Sequence, residues 1–91
     1  MEGTGIASVR EHQFPVRYWI TVSADRRGRK GRGKLEMPSM EAVRLVDNSQ
    51  FTLQLENGGS FELVVTATGS GPVLDVESIG PIPGYEFWLN P

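Results

Sequence analysis

Ninety-one residues, 38% of them apolar and 22% charged, suffice for one folded domain around one core and are too few for two. There is no cysteine, which excludes disulfides, thiolate metal centres and cysteine nucleophiles together and leaves stability to packing. Nine bases against eleven acids give a net charge of −2, yet six of the nine bases fall in the run RRGRKGRGK from Arg26 to Lys34, so the rest of the chain carries −8.

Residues 1–13 are small and polar with no large apolar residue recurring at a fixed period, and are expected to form an irregular tail. This stretch lacks the basic and apolar regions of a secretory signal, and nowhere does the chain approach the ~20 apolar residues of a membrane span. A soluble cytoplasmic protein is the expectation. A single β domain is expected over residues 14–91. Its first strand is marked by Val16, Tyr18, Ile20 and Val22, which alternate with Arg17, Trp19, Thr21 and Ser23 as one buried and one exposed face.

The basic run holds no acid and no large apolar residue, and its glycines disfavour a helix. It reads as a flexible, solvated loop over residues 24–34. After it, Met40, Val43 and Val46 keep a helical spacing behind Ser39, which could cap a short helix over 39–46, whereas Val43 and Leu45 fit a strand that turns at Asp47-Asn48-Ser49. The shortness of the apolar run favours the strand; the helix would make the fold α+β.

A hairpin follows. Phe51, Leu53 and Leu55 face Phe61, Leu63, Val65 and Ala67 across a turn at Asn57-Gly58-Gly59. A two-residue loop would set core positions against solvent positions, so burial selects an odd loop, pairing Leu55 with Phe61 and Leu53 with Leu63 and giving Gly59 the positive φ. Beyond the turn residues 68–72, Leu74 and Val76 alternate with Asp75 and Glu77, and after Gly80-Pro81-Ile82-Pro83-Gly84 the closing segment places Tyr85, Phe87 and Leu89 inward, with Glu86 and Trp88 outward. Five or six short strands predict an all-β antiparallel meander curled into a small barrel or roll.

Two constellations could carry function. Arg26, Arg27, Arg29, Lys30, Arg32 and Lys34 could contact phosphates or another anion, or lie across the protein's own acidic body. The window has no aromatic for stacking, and the pI near 5.3 is low for a dedicated nucleic-acid domain. Trp19 and Trp88 fall in the polar phase of their strands beside Arg17 and Glu86, which marks either an exposed interaction face or rings covered by the tail or a second subunit; tryptophan's usual burial favours the covered reading.

Catalytic signals are weak. His12 has only Glu11 beside it, Asp75 and Glu77 read as a solvated strand face, and neither phosphate-loop nor dinucleotide glycine motifs occur. The expectation is a non-enzymatic interaction module with no cofactor and no metal. Its partner is a protein or a second copy of the chain, with nucleic acid as the alternative and a small-ligand binder or enzyme with a pocket in the curled sheet as the third reading.

Overall fold

A computed structural model describes residues 1–25, 28–47, 50–69, 71–80 and 82, of which 24, 25, 28 and 29 by their backbone alone. Six strands, β1 (Glu2–Val9), β2 (His12–Asp25), β3 (Gly28–Glu36), β4 (Gln50–Leu55), β5 (Ser60–Thr68) and β6 (Val73–Ile79), close into an antiparallel barrel in the order β1-β2-β3-β6-β5-β4. Two three-stranded meanders are thus joined edge to edge, β3 to β6 and β1 to β4, with one helix, α1 (Met40–Val46), between them in the chain. Closure leaves the described sheet without a free edge for another strand to extend.

The interior is filled by alternate residues of every strand, among them Val16, Tyr18, Ile20, Leu35, Phe51, Leu53, Phe61, Leu63, Leu74 and Val76, all buried. β2 is the longest strand because it serves two partners in succession: its first part pairs with β1 and its second with β3, overlapping only at residues 17–19.

Two segments correct the sequence reading. Residues 1–13 are mostly strand rather than an irregular tail, since β1 pairs along its whole length with β2 and on its other side with β4. The expected loop at 24–34 is largely ladder, since β2 runs to Asp25 and β3 starts at Gly28. The same physical reason applies to both. Gly3, Gly5 and Ala7 of β1, like Gly31 and Gly33 of β3, occupy the inward phase, where small residues leave room for the large inward side chains of β2. A Cβ on Gly5 would overlap the Gln54 carbonyl oxygen, one on Gly33 the Trp19 carbonyl oxygen, and one on Gly31 would press on Ile20 and Ile82. Glycine here allows strands to approach closely and does not mark a loop.

Met40–Val46 is helical, against the preferred strand reading and in line with the alternative. The Ser39 hydroxyl accepts a hydrogen bond from the Ala42 amide at 3.1 Å, capping the first turn, and Ala42, Val43 and Val46 are buried against the core. α1 lies at the barrel end where β3 finishes; Ile82, also buried, packs near Gly31 at the other end.

The β4–β5 hairpin has an odd loop, as burial requires, but its register is shifted by two residues. Leu53 faces Phe61 and Phe51 faces Leu63, so the loop is Glu56-Asn57-Gly58 and the positive φ of +93° falls on Gly58 rather than Gly59. Both registers keep the same residues inside, so burial does not choose between them. The turn itself does: Leu55 donates to the Gly59 carbonyl at 2.7 Å, and the Gly59 amide donates to Asn57 Oδ1 at 3.0 Å. An irregularity between Val65 and Ala67 ends the inward phase of β5, leaving Val65 half-buried and Ala67 exposed. The closing strand with Tyr85, Phe87 and Leu89 lies outside the described residues.

Candidate functional site

The outward phase of β2 carries Arg17, Trp19, Thr21 and Ser23; that of β3 carries Lys30, Arg32, Lys34 and Glu36; that of β6 carries Asp75 and Glu77. Cross-strand pairing sets them in rows. Trp19 faces Lys34, which faces Asp75; Thr21 faces Arg32, which faces Glu77; Arg17 faces Glu36 and Ser23 faces Lys30. Two constellations that are separate in the sequence therefore form one surface.

Each described cation of β3 meets an acid of β6. Lys34 Nζ lies 2.8 Å from Asp75 Oδ1, Arg32 Nη2 lies 3.7 Å from Glu77 Oε1, and Lys30 is ion-paired with the same Glu77 carboxylate. The Lys30 ammonium hydrogen-bonded to Glu77, with Arg32 beside it, holds that carboxyl below the usual carboxylate range, outweighing the partial burial that acts in the opposite sense. Solvent screening leaves exposed pairs of this kind little weight in stability, so their main effect is to fix the charge pattern of the face.

Trp19 is 37% exposed, with the Arg17 guanidinium carbon 5.2 Å from its ring centroid. Among the described residues, neither the N-terminal strand nor the core hides this ring. On one side of Trp19 along β2, an open cleft of about 650 Å³ is bordered by Thr21, Ser23, Arg32, Lys34, Asp75 and Glu77, with Thr66 contributed by the irregular part of β5. On the other, a smaller hollow of about 300 Å³ is formed by Glu2, Gly3, Thr4, Arg17, Tyr18, Trp19 and Glu56. Burial, and secondarily the charge of Glu56, raises the pKa of the Tyr18 hydroxyl, so the phenol stays neutral there.

Of the sequence-identified residues, Arg17, Trp19, Lys30, Arg32 and Lys34 come together here. Arg29 lies within β3, facing Ala24 across the ladder. Arg26, Arg27, Glu86 and Trp88 lie outside the described residues. Glu2, Thr4, Tyr18, Glu56 and Thr66 were missed, because their proximity depends on pairings between distant segments; the one local signal was the alternation of Gly3 and Gly5 with polar residues.

His12 stacks on Phe14 with ring centroids 6.1 Å apart, at the start of β2. Asp75 and Glu77 are engaged by lysine and arginine, and among the described residues no three His, Asp or Glu side chains are grouped to hold a metal. No described helix is long and apolar enough to cross a membrane. No known protein family, curated protein or solved structure matches the chain.

Proposed function

We propose that the protein is a non-enzymatic interaction module, acting in the cytoplasm, that binds a protein partner through the outer face of β2, β3 and β6. The observation that carries this reading is the position of Trp19: a half-exposed indole backed by Arg17 and bordered by the cations of β3, with the acids of β6 beyond them. Tryptophan and arginine supply most of the binding energy at protein interfaces, because they offer large rigid area for little lost entropy. The surrounding charges of both signs suit orientation of a partner by complementary charge.

Nucleic acid remains the alternative, favoured by one feature, an aromatic ring directly beside Lys34 on which a base could stack. Weighing against it, Asp75 and Glu77 sit among the cations a phosphate would need to approach. A ligand inside the curled sheet is disfavoured by the buried side chains that fill it.

A photo-crosslinking residue at Thr21, compared with one at Glu62 on β5 across the barrel, tests the reading in the cells that make the protein. A discrete protein adduct at Thr21, missing at Glu62 and lost on Trp19→Ala, is expected. Equal adducts from both positions, adducts abolished by nuclease, or none at Thr21 would overturn it.

A further inference from the structure

Glu2, Glu56, Tyr18 and Trp19 all border the smaller hollow. Glu56, in the β4–β5 turn, reaches over β1 so that its Oε1 accepts a hydrogen bond from the Thr4 amide at 2.7 Å. That bond fixes one carboxylate at the mouth. Glu2, the cross-strand partner of Trp19, brings the second.

Gly3 is what lets these groups meet. A Cβ there would overlap Glu56 Oε1 and lie 3.0 Å from the Tyr18 hydroxyl, so carboxylate and phenol share a small cradle that any other residue would fill. Tyr18 is 6% exposed, so its hydroxyl lies almost wholly out of solvent. A buried hydroxyl in that position calls for a group to bond. The neutral phenol offers an acceptor oxygen, the two acids outnumber Arg17 in the lining while nearby Lys34 is paired with Asp75 and the Met1 ammonium donates to the Ile20 carbonyl oxygen, and the indole already has one cation against it. An anion is repelled from such a lining and a cation attracted.

We infer that this hollow receives the cationic head of a lysine or arginine side chain from the protein partner, an inference that rests on the proposed function above and names the chemistry the partner presents. The charged head sits between the Glu2 and Glu56 carboxylates, donates to the Tyr18 hydroxyl and lies against Trp19, while its aliphatic stem leaves over the strand.

The test uses the ¹⁵N-labelled full chain, titrated with butylammonium and propylguanidinium as probes, and with butyrate and butyramide as anionic and neutral counterparts. Saturable shifts of the Trp19 indole and the Thr4 and Gly3 amides are expected with the two cations and not with the counterparts. Glu56→Gln, which keeps the acceptor to Thr4, weakens the cation by roughly two- to fivefold, the range of an exposed ion pair. Gly3→Ala fills the cradle and abolishes the response, and Glu2→Gln supplies a second charge variant in case Gly3→Ala fails to fold. No saturable shift with either cation, an equal response to butyramide, or an unchanged affinity in both charge variants would overturn the inference. A Trp19-dependent crosslink at Thr21 alongside a silent titration would sink the cationic socket alone; the reverse pattern would sink the partner face and leave the socket standing.

Discussion

Gly33 of β3 lies so close to Trp19 of β2 that a side chain on it would overlap the Trp19 carbonyl oxygen, while the Trp19 indole projects outward from the same residue. The inward glycine thus sets how near β3 lies to the strand that presents the candidate site. Lys34, next to Gly33, is held by the same approach as the direct neighbour of the indole.

Gly33→Ala is therefore expected to destabilise the barrel by about 2 to 3 kcal/mol, because the atoms in the way are backbone and cannot rotate aside. Gly69→Ala should have the opposite sign. A Cβ there meets only the Val73 carbonyl oxygen at 3.6 Å, so the loss of unfolded-state freedom dominates, and a gain of roughly 0.4 to 1 kcal/mol follows. Urea unfolding of both variants checks the pair; a neutral Gly33→Ala would show that the strands are not so closely apposed.

Glu77 supplies a pH dependence of defined direction. Its folded pKa is depressed by Lys30 and Arg32, so the stabilisation it provides is present above the ordinary carboxylate pKa and is lost as pH falls through the lower, folded value. Thermal midpoints of wild type and Glu77→Gln should differ most near neutrality and converge in acid. Carbon-detected titration of the Glu77 carboxyl should give a midpoint that moves back up in Lys30→Gln. A midpoint unchanged by that substitution would place the cause elsewhere.

Ser39→Ala removes the hydroxyl that accepts from the Ala42 amide and should cost about 1 kcal/mol in urea unfolding, with reduced helical signal. Ser39→Asp should restore most of it, since aspartate caps equally well. Failure of aspartate to rescue would indicate that the hydroxyl acts through some contact other than the cap.

The strands legible in the sequence were those whose inward phase is large and apolar: β2, β4, β5 and β6. β1 and the basic strand β3 were hidden for a common reason, that alternation was read from apolar bulk. In Gly3-Thr4-Gly5-Ile6-Ala7 and in Lys30-Gly31-Arg32-Gly33-Lys34-Leu35 the period of two is intact, but glycine or alanine stands in most of the inward positions. α1 is visible through Ser39 and the spacing of Met40, Val43 and Val46, but the apolar run is short and turn residues follow it at once, which fits a strand as well. Trp19 could be recognised as out of phase from its strand alone. Its union with Lys34 and Asp75 could not, because it requires β3 to be a strand and β6, some forty residues later in the chain, to pair with it.

The acids of β6 set a test between the two macromolecular readings. Lys34 and Asp75, and Lys30 and Arg32 with Glu77, are already paired, so a phosphate approaching the face meets two carboxylates as well as three cations. Wild type should therefore bind single- or double-stranded oligonucleotides weakly even at low salt. Removing the acids by Asp75→Asn with Glu77→Gln leaves the cations unpaired, and the double variant should bind duplex more tightly, with a salt slope of about −3 in log K per log salt if all three engage phosphates. Fluorescence anisotropy over a salt series measures both proteins side by side. Tight wild-type binding with a slope already that steep would mean that the carboxylates do not shield the cations, and would move the nucleic-acid reading ahead of the protein-partner one. Weak binding that strengthens only in the double variant supports a face whose charges are balanced for a partner carrying both signs.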